Sequence, residues 1–128
     1  MVVSGMCPDS PDMAGLSWAH TWDIPTKEMP ARWMTPDGER DWQAGRQRNI
    51  AMAEFVGPKG YLVALWDGKS EGTCHMIVTA QVRGMRVLIR MLPKPGTDFS
   101  TLQAEAEAMQ EDMRQRLPKS VVERWAKE

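Results

Sequence analysis

The stretch AGRQRNIAMAEFVGPKGYLVALWDGKSEGT, residues 44–73, decides the reading of this chain. At its centre Tyr61, Leu62, Val63, Ala64, Leu65 and Trp66 form an unbroken apolar run. Bounded by Gly60 and Asp67, the run predicts a strand over 60–66 covered on both faces, as in the parallel sheets of α/β proteins. The segment from Asp67 to Thr73 then offers two glycines, two hydroxyls and a lysine before apolar residues resume. Backbone N–H groups at a helix start attract anions, so this turn is suited to hold a phosphate. The same letters also describe a plain reversal, in which glycines turn the chain and Ser70 caps the next helix.

Upstream of the strand, Asp37 is a suitable N-cap for a helix over 38–55, which Gly57-Pro58 ends. Its apolar side is Trp42, Ile50, Met52, Ala53 and Phe55. Arg48 on this helix can clamp a phosphate in bidentate fashion, or pair at the surface with Glu39, Asp41 or Glu54. Asn49 is a poor helix former in mid-helix, which points to a polar contact in a pocket. Nearer the N-terminus we read a strand over 2–4, a helix over 12–21 with Met13, Leu16 and His20 on one side, a strand over 24–29 and a loop over 30–37. Asp12 can bind a ribose hydroxyl or a metal, or cap that first helix. Trp33 and Trp66 can stack on a base, and Trp66 suits a core position equally well.

Downstream, residues 72–83 satisfy both a strand and a helix pattern. A strand over 85–92 follows, closed by Pro93-Lys94-Pro95-Gly96. From an Asp98 or Ser100 cap, Phe99, Leu102, Ala106, Met109 and Met113 recur at helical spacing and define an amphipathic helix. Beyond Pro118 a shorter helix is expected, with Val121, Val122 and Trp125 on its apolar side.

Composition narrows the function classes. The 128 residues suit one fold, and a net charge of −1 supplies no basic field to recruit nucleic acid or anionic lipid. No stretch is long and apolar enough to cross a bilayer, and no secretory leader is legible, so a cytoplasmic location is expected. The two cysteines, Cys7 and Cys74, stand far apart without a CxxC partner. That spacing speaks against a disulfide framework and a zinc knuckle. His20 and His75 share no metal-ligand spacing with a cysteine or acid, so neither a metal site nor a cofactor is expected. The eleven methionines are scattered over apolar faces and read as core filler.

The pattern AG-x-x-RN-x-x-M, a strand, and then WDGKS-x-GT resembles the SLOG superfamily, in particular its YpsA/YspA-related branch. The residues that carry it are Ala44, Gly45, Arg48, Asn49 and Met52, then Trp66, Asp67, Gly68, Lys69, Ser70, Gly72 and Thr73. Val2 to Gly5 looks like the strand that enters the family's glycine-rich loop, and Met29 to Trp33 like a second family step. The match spans about residues 2–92. The resemblance implies a Rossmann-like three-layer α/β fold, with a short mostly parallel sheet and C-terminal helices. It also decides for a helix over 72–83. In domain terms it implies a SLOG-like unit over 1–96 and a helical extension over 97–128 that packs on it or on a partner.

Three departures accompany the match. The loop after Gly5 reads MCPDSPD, where the family carries a glycine-rich run, so only Asp12 keeps its final acidic position. The interval from Trp33 to Arg48 is a few residues longer. A preceding strand and helix, which in the family supply a central strand, come before the point where this sequence begins. An exposed sheet edge, a reorganised sheet or cover from a partner is the expectation that follows.

The function implied is binding of a nucleotide or nucleotide-derived ligand, as a sensor or sequestering protein. Its contacts would be Gly5, Asp12, Trp33, Arg48, Asn49, Asp67, Gly68, Lys69, Ser70, Gly72 and Thr73. The superfamily also contains phosphoribohydrolases, whose related turn carries a catalytic glutamate three residues after its threonine. Met76 stands there in this chain and can do no acid or base work, so an enzyme is the less favoured reading. The further alternative is a host-factor interaction module, as small mobile-element proteins supply. The apolar stripe from Phe99 to Met113 is spaced like a helix-packing seam, which suits a homo-oligomer or a helix folded back on its own chain, and the resemblance favours the homo-oligomer.

Overall fold

Eight elements follow one another in the computed structural model, which describes residues 1–7, 10–41 and 43–116. They are β1 (Val2–Ser4), α1 (Pro11–Thr21), β2 (Thr26–Glu28), α2 (Ala44–Val56), β3 (Tyr61–Trp66), α3 (Glu71–Val82), β4 (Arg86–Met91) and α4 (Phe99–Arg116). The chain is α/β, as expected. Instead of one short sheet there are two parallel pairs, β1 with β2 and β3 with β4. The chain divides into two compact units, Met1–Phe55 and Val56–Glu128, so the boundary falls before β3 and not near residue 96.

In the first unit β1 and β2 run in register from Val2 opposite Thr26 to Ser4 opposite Glu28. A helix must connect parallel neighbours, and α1 does so, starting where Ser10 caps it and Pro11 fills its first turn. The Ser10 side chain accepts from the Asp12 N–H at 3.2 Å, so the cap is Ser10 and not Asp12. Leu16 and Ala19 are the buried residues of α1.

The helix expected from residue 38 begins only at Ala44. Pro36-Asp37-Gly38 turns a small hairpin instead, with Met34 bridged antiparallel to Arg40 and the Thr35 N–H donating to the Glu39 carbonyl at 2.8 Å. Gly38 has φ +82, a conformation that side-chain-bearing residues resist. Ahead of α2 the Asp41 carboxylate accepts from the Gln43 N–H at 2.9 Å. Trp42, expected on the apolar side, lies outside the described residues, and so does the short helix expected after Pro118.

In the second unit β3 and β4 pair over their whole length, Tyr61 opposite Arg86 to Trp66 opposite Met91. α3 crosses between them, and its helical assignment over the competing strand pattern holds. One sheet face packs into a core of Ala64, Trp66, Cys74, Ile77, Val78, Ala106 and Met113, with Leu62, Val87, Ile89, Met91 and Met109 beside it. α4 therefore folds back on its own unit, capped by Asp98, whose carboxylate accepts from the Ser100 N–H at 3.1 Å. The stripe that could have been a seam between copies is largely occupied: Leu102, Ala106 and Met113 are buried. Phe99 alone of that stripe stands exposed. Beside the core, Gln81 ties α3 to α4 by accepting from Arg114 at 2.7 Å and donating to Gln110 at 3.4 Å.

The other face of β3–β4 departs from the expectation of double cover. Tyr61, Val63 and Leu65 on β3, and Leu88 on β4, are exposed. Alternation of exposed and covered residues is thus present in an entirely apolar strand.

The two thiols differ sharply. Cys7 is exposed and Cys74 is fully buried, and that burial pushes the Cys74 thiol above its ordinary range and keeps it protonated. An aromatic disulfide reagent at neutral pH is expected to label Cys7 alone in the folded chain, and both thiols in denaturant. Rapid labelling of both in the native protein would contradict this packing.

Candidate functional site

The expected ligand contacts divide between the two units, and each group is described by itself. In the first unit Gly5 follows β1 at its carboxyl end, the side on which open parallel sheets bind ligands. The Arg48 guanidinium crosses from α2 to donate through Nη1 to the Gly5 carbonyl at 2.5 Å, and through Nε to Asn49 Oδ1 at 3.1 Å. Asn49 is buried, in keeping with a polar role in mid-helix. The Asp12 carboxylate accepts from the Cys7 N–H at 3.2 Å and so holds the loop after Gly5.

A side chain at Gly5 has no room. Its Cβ would lie 2.5 Å from Arg48 Nη1, 2.9 Å from Arg48 Cζ and 3.1 Å from Asp12 Oδ2. The structure therefore gathers Gly5, Asp12, Arg48 and Asn49, with a guanidinium and a carboxylate closing over one buried glycine. Sequence reading missed Ser4, which is buried at the end of β1, donates to the Asp12 carbonyl at 3.1 Å and accepts from the Met6 N–H at 3.2 Å. Its signal was a lone hydroxyl closing an apolar strand. Met6 itself sits at φ 59, an uncommon conformation for a residue with a side chain.

Trp33 is placed one helical turn before Arg48 along α2. Its ring edge lies 2.9 Å from where a Gly45 Cβ would be, and Arg40 stands 5.3 Å over the ring. Gly45 thus seats Trp33, and the aromatic face already carries a cation. Elsewhere in this unit an open hollow of about 530 Å³ lies along α1, lined by Met6, Met13, Leu16, Ser17, His20 and Glu28. None of the expected ligand contacts borders it.

In the second unit Asp67 to Thr73 form one turn between β3 and α3. Asp67 Oδ1 accepts from the N–H groups of both Lys69 and Ser70, each at 2.8 Å. These two amides hold the Asp67 carboxyl below its usual range. Ser70 caps α3, accepting from the Thr73 N–H at 3.4 Å, and its hydroxyl lies 3.2 Å from the Thr73 hydroxyl. Trp66 is buried and its indole donates to the Ser70 carbonyl at 3.0 Å, so it anchors the turn from below and does not stack on a base.

The two glycines of the turn have different surroundings. Gly68 has φ +79, and its Cβ would lie 2.9 Å from Leu102 Cδ1 and 3.1 Å from Met91 Cε. Packing of α4 therefore requires a glycine there. Gly72, in the first turn of α3, has nothing within 4 Å of a Cβ position, so a side chain added there enters open space.

Among the described residues no three His, Cys, Asp or Glu side chains gather to hold a metal ion, and no helix is long and apolar enough to cross a membrane. No family model, curated protein or solved structure matches the chain.

Proposed function

We propose that this chain binds a nucleotide or nucleotide-derived ligand and acts as a sensor or sequestering protein. The observation that carries the reading is the cluster at the carboxyl end of β1, where the Arg48 guanidinium and the Asp12 carboxylate close over the buried Gly5 backbone. A guanidinium complements a phosphate, and a carboxylate complements a sugar hydroxyl. The Ser70 and Thr73 hydroxyls at the head of α3, beside the open space at Gly72, give the Asp67–Thr73 turn its own complement to an anionic group. Binding is favoured over N-glycosidic hydrolysis because Met76 stands where the resembling enzymes carry glutamate. Two unbridged cysteines suit a reduced cytoplasm as its location.

Mass spectrometry of small molecules released on denaturing the purified protein tests the ligand class. Calorimetry with a panel of nucleoside mono- and diphosphates then tests the residues. Arg48→Ala and Gly72→Val are each expected to weaken binding at least tenfold in folded protein, and incubation is expected to release no free base. Unchanged affinity in both folded variants would sink the reading, and base release that disappears in Arg48→Ala would replace it with the hydrolase.

A further inference from the structure

We propose that the bare face of β3–β4 docks an amphipathic helix with acidic side chains along one flank, supplied by a partner protein. The face consists of three cross-strand pairs: Tyr61 with Arg86, Val63 with Leu88 and Leu65 with Arg90. Tyr61 is 67% exposed, Val63 65%, Leu88 53% and Leu65 37%, although the strands are only half covered by their own unit. Parallel strands occur almost only with both faces covered, usually by helices. Polar residues normally alternate into a strand that faces water, and β3 has none. Its composition therefore fits a second cover that the described residues of its own unit do not supply.

Charge selects the occupant. The β3 row is Tyr-Val-Leu and the β4 row is Arg-Leu-Arg, with Arg86 standing 5.7 Å over the Tyr61 ring. No acidic side chain belongs to these six. A second copy laid face to face would bring four guanidinium groups into one seam with no carboxylate from either face, an arrangement that opposes association. Area points the same way. Four side chains form a patch of a few hundred Å², roughly 300–600 Å² being typical of functional patches. A stable dimer needs about 800 Å² from each partner. One helix fits this scale. Arg86 and Arg90, four residues apart on a strand, lie about 13 Å apart, close to two turns of a helix, which cover about 11 Å in seven residues. The occupant therefore carries an apolar stripe over Val63, Leu65 and Leu88 and two carboxylates about seven residues apart on its β4 side.

The test uses the full chain and two fluorescein-labelled helical peptides with the same leucine stripe. One carries glutamates about seven residues apart on its flank, and the other carries lysines there. By fluorescence anisotropy the glutamate peptide is expected to bind at least tenfold more tightly. The Arg86→Glu/Arg90→Glu double variant is expected to reverse that order. Val63→Asp, at an exposed position, is expected to abolish binding of both while the melting temperature stays unchanged. Equal affinity for the two peptides, absence of binding, or binding indifferent to Val63→Asp would overturn the proposal. So would a wild-type dimer in sedimentation that Val63→Asp splits, which would make a second copy the occupant. A melting temperature that drops steeply in Val63→Asp would assign the cover to the chain itself and equally overturn it.

Discussion

Replacement of Leu102 by aspartate is expected to unfold the second unit at ambient temperature. Leu102 is 4% exposed, and its Cδ1 atom lies over Gly68 where α4 meets the turn after β3. Removing a buried leucine side chain costs about 2–5 kcal/mol, and leaving a carboxylate in its place adds several kcal/mol more for an uncompensated buried charge. Together these approach the roughly 5–15 kcal/mol that holds a whole domain folded. Urea titration followed by circular dichroism should find no folded baseline for Leu102→Asp and a lowered midpoint for Leu102→Ala. A Leu102→Asp protein that keeps its helix content and merely changes its sedimentation would mean that α4 serves another chain, contrary to the packing found here.

Gly68→Val is expected to destabilise the same unit by roughly 2–5 kcal/mol, the sum of two separate costs. The left-handed φ of +79 resists any Cβ, most of all a branched one. The added carbon also meets Leu102 Cδ1 and Met91 Cε, which have to move. Gly72→Val, only four positions along, is the control. Its Cβ enters open space, and valine is no worse a helix former than glycine. Its unfolding midpoint is expected to match or exceed that of the parent. Equal losses at both glycines would mean that the turn is wrongly placed against α4. The contrast also makes Gly72→Val the clean probe of ligand approach, since Gly68 variants confound binding with stability.

Two letters of one kind with different duties illustrate what a sequence can disclose. The strand, the Ser70 cap and the α4 periodicity were legible because each is local, written within a few residues by spacing and capping chemistry. The α2 start was misread because Asp37 can cap a helix or sit in a turn. The choice was made by the pairing of Met34 with Arg40, which no local pattern encodes. The partition of the site was hidden for the same reason. Arg48 reaches the Gly5 carbonyl across 43 residues, and Leu102 stands over Gly68 from far along the chain. The apolar β3 run correctly announced a strand, yet it could not say that only one of its faces is met by the described residues of this unit.

The Asp67 carboxylate, held by the Lys69 and Ser70 amides, gives the turn a resident anion of its own. Being tethered, that carboxylate acts at an effective concentration no free anion in solution matches. Chloride, sulfate and loose phosphate therefore face an intramolecular competitor for those two amides at every pH where Asp67 is ionised. A successful ligand must gain its affinity from other donors, such as the hydroxyls at the head of α3, or be large enough to make contacts a simple ion cannot. The turn is in this sense a filter. It is already shaped before anything arrives, and it is deaf to the commonest anions of the cell.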